Sequence, residues 1–296
     1  MELRQLRYFV VLAEELHFRR AAQRLFISTP TLSQQIKGLE REMGGPLLTR
    51  EPRIELTPAG EVLLRSGRDI LRAADAAVRE TRREAGAEIP TLRFGLLNGI
   101  PPWLPTRIGE LLSARLPGAR MVLTGGTTAD QLRLLDDDEV DLAMVRAPVT
   151  LPERFAQIPV AREELGIVMA TGHRLAGLAE IGAADLRGQE LVLFARDSAV
   201  GLHDALLTEL RTRGADIRLS ESAMGHAQML NVLPMRTDIV GLSSDRVAGL
   251  PGLQWRPLDR PLEVRYAAVW RSANRNPAVA AVVSALHGRL LDASVS

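Results

Sequence analysis

At 296 residues, 46% of them hydrophobic and 25% charged, the chain has room for two ordinary globular domains. Zero cysteines exclude a disulfide framework, thiolate metal sites, a thiol nucleophile and thiol-based redox sensing. No apolar run is long enough to span a bilayer, MELRQLRYF lacks a signal peptide's design, and a net charge of +1 leaves no overall pull toward nucleic acid, so a cytoplasmic protein is expected.

Leu3, Leu6, Phe9, Val10, Ala13 and Leu16 recur at helical spacing and give a first helix one apolar face. A short second helix follows from about Arg20 to Phe26, with Ala21, Ala22 and Leu25 inward, and Ile27-Ser28 makes a tight turn. Thr29-Pro30 opens a third helix, because a hydroxyl caps free amides and proline fits the first turn. Leu32, Ile36, Leu39 and Met43 form its buried stripe, while Ser33, Gln34, Lys37 and Arg41 lie opposite. Hydrogen-bonding side chains and cations on one helix face are what a major-groove reader needs. A merely solvated polar face is the plainer alternative. Gly44-Gly45-Pro46 ends the helix, and Leu47 to Leu56 reads as a short hairpin with Arg50 and Arg53 near its tip.

The run HFRRAAQRLFISTPTLSQQIKGLEREMGGPLL, followed by LTPAG, resembles the N-terminal domain of LysR-type transcriptional regulators. Ala21-Ala22, Leu25, Ser28, Leu32-Ser33-Gln34, Ile36, Leu39-Glu40, Gly44, Leu47, Arg50 and Leu56 to Gly60 carry the match. Thr29 replaces a common glutamine, Leu48 the usual phenylalanine and Arg19 a small hydroxyl residue. The polar face and the resemblance together give a DNA-binding set of Thr29, Pro30, Thr31, Ser33, Gln34, Lys37, Arg50 and Arg53. The resemblance implies a dyad-symmetric operator, a small anionic effector, a homodimer or homotetramer, and RNA polymerase as partners.

Thr57-Pro58 repeats the cap-then-proline signature and starts a long helix to about Ala85. Roughly 28 residues of helix span about 40 Å, and an apolar stripe of that length needs cover. In the resemblance this is the dimerisation helix, with Leu63, Ile70, Ala74 and Ala77 on the seam; packing on the chain's own sensing domain is the alternative. Gly86 to Pro90 reads as a hinge.

From Thr91 strands alternate with helices: strands at Leu92–Leu97, Met121–Thr124 and Val140–Val145, with helices between them. A second series has strands at Leu165–Ala170, Leu191–Phe194, Ile217–Leu219 and Ile239–Leu242. Val264–Trp270 and a last helix, Pro277–Leu291, return to the first lobe. The alternation implies a mostly parallel sheet in each of two lobes joined by two crossovers. The fold class is therefore α/β: a winged helix-turn-helix (1–57), a linker helix (58–86) and a two-lobed periplasmic-binding-protein-like (type 2) effector domain (87–296). Lobe 1 covers about 90–162 and 264–296, lobe 2 about 163–263.

Ligands of open parallel sheets sit beyond the carboxyl ends of the strands. The loops there supply Asn98, Gly99, Thr127, Thr128, Arg146, Ser198, His203 and His226, whose hydroxyls, amides and arginine suit a small anion. Each of them also suits a cap or an ion pair. The stretches Asp141 to Pro148 and Gly201 to Asp204 resemble the branch that senses aromatic acids and their breakdown products. Asp136 to Glu139 is a solvated loop on this reading, because adjacent acids point different ways, and no metal or cofactor is expected.

The five histidines show no HExxH spacing, and no GxSxG elbow, Walker loop or GxGxxG fingerprint occurs. His203-Asp204 with Ser198 could form a catalytic set, but no spacing brings them together. A regulator without enzymatic activity is the expected function. The alternatives are a winged-helix architectural or partner-docking protein, and an enzyme with a fused DNA-binding module.

Overall fold

The computed structural model describes residues 1–49, 53–86, 89–288, 290 and 291, with the backbone alone at 83 and 84. It divides into two compact units, Met1–Glu88 and Ile89–Ser296. Arg50 and the Ala87-Glu88 part of the expected hinge lie outside the described residues.

In the first unit α1 (Leu3–Glu15), α2 (Phe18–Arg24) and α3 (Thr29–Met43) bury Leu6, Phe9, Leu12, Leu32, Ile36 and Leu39 together. Ser28 caps α3, its Oγ accepting from the Thr31 amide at 3.2 Å, and Gly44 ends it in the left-handed conformation at φ 78°. Strands β1 (Leu48–Thr49) and β2 (Glu55–Leu56) pair antiparallel as a short wing. Helix α4 (Pro58–Glu84) then packs on α1. Its first turn can dock only because position 60 is glycine: a Cβ there would lie 2.0 Å from the Leu47 carbonyl oxygen. Gly67 does the same further along, where a Cβ would come within 2.7 Å of Leu6.

The expected seam on α4 needs correction at one end. Leu63, with Leu64 and the buried Leu71, packs into the core of its own unit. Ile70 and Ala77 are exposed and Ala74 is half-buried. A straight helix drifts about 20° per heptad against a seven-residue repeat. The stripe therefore starts on the flank covered by α1 and turns away from it by Ile70.

The second unit contains one nine-stranded sheet of order β4-β3-β5-β11-β6-β9-β7-β8, with β10 also on β6. The strands are β3 (Thr91–Leu97), β4 (Arg120–Gly126), β5 (Leu142–Ala147), β6 (Phe155–Ala170), β7 (Glu190–Val192), β8 (Arg218–Leu219), β9 (Ile239–Ser243), β10 (Leu253–Arg256) and β11 (Leu262–Arg271). Helices α5 (Trp103–Arg115), α6 (Thr128–Asp136) and α9 (Pro277–Leu286) belong to the first lobe; α7 (Val200–Thr212) and α8 (His226–Val232) belong to the second. The sheet is mixed rather than mostly parallel. Strand β3 runs parallel to β4 and β5, and β7 parallel to β8 and β9, but β6 and β11 pair antiparallel with each other and with their other neighbours. These two strands are the crossovers, which is why the alternation of strand and helix gave no sign of their direction.

The first half of β6 and all of β10 were not expected. Pro159 interrupts β6 and cannot donate to a ladder; it stands opposite Ala267, where the pairing register shifts. In β10 a four-residue stretch, Leu-Gln-Trp-Arg, follows Gly252 and precedes Pro257, too short to show a period. Helix α9 stops at Leu286, five residues early, with Gly288 at φ 73° just beyond.

Candidate functional site

On α3 the exposed residues are Thr29, Pro30, Thr31, Gln34, Lys37, Arg41, Glu42 and Met43, with Ser33 half-buried; Met43, expected on the buried stripe, is 41% exposed in the last turn. The Thr31 hydroxyl shares a 2.7 Å hydrogen bond with Ser28, so it is held in the cap. Arg41 folds back on the helix, its Nε donating to the Lys37 carbonyl at 3.4 Å. Gln34 and Lys37, one turn apart, have no such local bond among the described residues, and neither do the shorter Thr29 and Ser33 side chains. Arg53 is exposed beside β2, and Arg50 lies outside the described residues. Phe26, which sequence reasoning placed at the end of α2, sits in the turn before α3 at φ 55° and is 95% exposed.

In the second unit the carboxyl ends of β3, β4, β5, β7 and β9 converge on a cavity of about 220 Å³ between the two lobes. Asn98, Gly99, Thr127, Arg146, Ser198 and His226 line it, as the strand-end rule expected. Thr128 and His203 do not. Thr128 is buried, and its hydroxyl accepts from the Arg146 amide at 3.1 Å, so it fixes the backbone of that arginine. The cap of α6 is Thr127, whose Oγ accepts from the Asp130 amide at 3.2 Å and donates to its carboxylate at 2.8 Å. His203 lies on the buried face of α7 with Leu202, Leu206 and Leu210, edge-on to the Phe194 ring. The Asp204 carboxylate beside it is forked by Arg196 at 2.8 and 2.6 Å, and no hydrogen bond joins Ser198 to His203 among the described residues. The catalytic set is not assembled.

The cavity residues that were missed include Glu163 on β6, Tyr266 on β11 and Arg246 just beyond β9. Arg246 could have been found, because it follows a strand end as the other lining residues do. Its guanidinium grips Glu163 through Nε–Oε1 at 2.6 Å and Nη2–Oε2 at 3.1 Å, and reaches the Gly99 carbonyl at 3.2 Å. Tyr266 donates its hydroxyl to Glu163 Oε2 at 2.6 Å. Burial, with Glu163 close by, holds that phenol protonated far above its ordinary range, so it stays a donor. Burial also pushes the His226 imidazole below its ordinary value, and Arg246 and Arg146 add to this while Glu163 opposes it. His226 is therefore neutral at pH 7, with Nε2 3.0 Å from Ser243 Oγ. Arg146 donates through Nη2 to the Asn98 carbonyl at 2.6 Å and lies 5.9 Å from the Tyr266 ring centre.

The remaining wall of the cavity is apolar, made by Leu193, Phe194, Leu202, Leu206, Met224 and Met229 of the second lobe. At one edge the lobes meet backbone to backbone. A Cβ at Gly201, in the first turn of α7, would lie 2.1 Å from the Pro148 carbonyl oxygen. The turn Arg196–Ser198 lies against α6 nearby.

The acidic run is taken up by ion pairs. Asp136 pairs with Arg154 and Arg271, Asp137 and Glu139 with Arg133, and Asp138 with Arg93. No cluster of three potential metal ligands exists among the described residues. Nor is any helix there long and apolar enough to cross a membrane.

Two family models match the chain: "Bacterial regulatory helix-turn-helix protein, lysR family" over residues 3–61 and "LysR substrate binding domain" over 85–291. The HTH-type transcriptional regulator BudR of Raoultella terrigena is 32% identical over 94% of this chain and 98% of its own. The crystal structure of CbnR, a LysR family transcriptional regulator, superposes with a TM-score of 0.71 at 24% identity, covering 99% of this chain and 100% of the other. The full-length CbnR complex with its target DNA gives 0.69 at 24% identity, over 97% and 99%.

Proposed function

The chain belongs to the lysR family of bacterial regulatory helix-turn-helix proteins, and from that premise we propose that a small organic anion held between its two lobes controls its binding to an operator. DNA-binding transcriptional regulation is what the family does, and the relatives are regulators, not enzymes. The observation that carries the effector reading is the cavity itself, with Arg146 at the exit of β5 turned toward a space walled by both lobes. A ligand in that position controls the molecule only if it binds one lobe arrangement better than another. An aromatic acid or one of its breakdown products suits such a space. The operator is dyad-symmetric on this reading, the exposed part of the α4 stripe meets a second copy, and RNA polymerase is the further partner.

Gln34 and Lys37 do different things on α3. An amide side chain can pair with a base edge, whereas an ammonium neutralises phosphate whatever the sequence. A preferred site is first selected from random duplexes with the wild-type chain. Gln34→Ala should then lose about 1–3 kcal/mol of discrimination between that site and scrambled DNA. Lys37→Ala should weaken both alike and flatten the salt dependence by about one unit. Unchanged discrimination in Gln34→Ala would remove this residue from the reading head.

A further inference from the structure

The charges that face the cavity can be counted one by one. Arg246 and Glu163 form a forked pair, sealed by the Tyr266 hydroxyl and by the carbonyls of Gly99 and Ile100, so together they contribute no net charge. His226 is neutral. Arg146 donates to a backbone carbonyl, and among the described residues no carboxylate pairs with it. The site therefore carries one uncompensated positive charge. It sits on the first-lobe side; the second-lobe wall opposite offers hydrocarbon, sulfur and the hydroxyls of Ser198 and Ser244, but its one cation, Arg246, is already paired with Glu163.

From this we infer that the cleft takes a monoanionic organic acid with an apolar body, its carboxylate on Arg146 and its body against Phe194, Leu202, Leu206 and Met229, and that it rejects dianions. This rests on reading the cleft as the effector site. A second carboxylate on the ligand would be stripped of water with no free cation to meet it, and it would face Glu163. Acids without a body would leave the apolar wall uncovered. An apolar cavity of roughly 150 Å³ holds benzene, so about 220 Å³ has room for one ring and a carboxylate.

Glu163 is then the residue that sets the charge of the site, through its pairing with Arg246. Replacing it with glutamine frees Arg246 and raises the local charge to two.

Calorimetric titration of the full chain with four probes tests this: phenylacetate, its dianionic relative homophthalate, its neutral amide phenylacetamide, and acetate. Phenylacetate should bind in the millimolar range or tighter, and at least tenfold tighter than each of the others. Arg146→Gln should abolish its binding. Glu163→Gln should shift the preference toward homophthalate by tenfold or more. Homophthalate or acetate binding as tightly as phenylacetate, with Arg146→Gln still abolishing it, overturns the monoanion inference and leaves the cleft reading standing. Binding that Arg146→Gln leaves untouched overturns the cleft reading itself. The absence of phenylacetate binding at millimolar concentration overturns the inference as well. The ranking in the wild-type chain decides even if Glu163→Gln fails to fold.

Discussion

Asp141→Ala should lower the unfolding free energy of the second unit by about 3–5 kcal/mol, the cost of stripping one partner from a buried ion pair. The carboxylate is 5% exposed. Its Oδ1 accepts from Arg93 Nη2 at 2.6 Å; its Oδ2 accepts from Arg93 Nε at 3.1 Å and from the Arg93 amide at 2.9 Å. Asn276, whose Oδ1 caps α9, also donates to Oδ2 at 3.1 Å. One side chain thus joins β3, the entry to β5 and the start of α9. Removing it leaves the Arg93 guanidinium, itself only a quarter exposed, without its closest anion. The three tryptophans, Trp103, Trp255 and Trp270, all lie in this unit, so fluorescence during urea denaturation reports on it alone. The exposed pair of Arg107 with Glu110 is the control, because such pairs contribute about 0–1 kcal/mol. A loss at Asp141 no larger than the control would mean that the junction holds by packing without its charge.

Ile70→Glu should break self-association and weaken operator binding by at least about a hundredfold, while leaving each unit folded. Ile70 is 40% exposed on α4, and Ala77 lies one heptad on and is exposed too. A second helix laid on that stripe would bury position 70. A glutamate there would lose its water without gaining a partner, at about 3–5 kcal/mol. Each 1.4 kcal/mol is a factor of ten in an equilibrium constant. Within a single chain the same side chain stays in water, so circular dichroism should be unchanged. Light scattering reads the assembly, and titration of the selected duplex reads the affinity. Intact oligomers in this variant would mean that association uses another surface, and the stripe of α4 would lose its assigned role. Leu63→Glu is expected to behave differently, because that residue belongs to the core around α1 and its loss should unfold the first unit.

What could be read from the sequence divides by the distance over which each feature is encoded. Helices α1 to α3 were legible because Leu6, Phe9, Leu32, Ile36 and Leu39 repeat within one or two turns and each end carries its own cap. Strands β3, β4 and β5 were legible for a similar local reason, as short apolar runs between amphipathic helices. The end of each strand then pointed to Asn98, Thr127 and Arg146 without any knowledge of strand order. Features encoded between distant segments were not legible. Glu163, Arg246 and Tyr266 come from β6, the turn after β9 and β11, and no spacing links them. Thr127 and Thr128 are chemically identical, so only the backbone shows which one caps α6 and which one holds Arg146. His203 was misplaced for a correctable reason: positions 203, 206, 207 and 210 share a helical face, and three of them are leucine.

The close approach of Gly201 to Pro148 has a consequence for how such a molecule changes over generations. At most positions near a cleft, a substitution alters what is bound. Here the nearest neighbour is another backbone, so adding even a methyl group acts as a wedge between the lobes and leaves the polar groups of the cavity untouched. The size of the side chain at this one position then sets the resting separation of the lobes. A single base change could shift how readily the protein responds while leaving unchanged what it responds to. On the effector reading proposed above, sensitivity and specificity then lie at separate places in the chain, and selection can adjust one without spoiling the other.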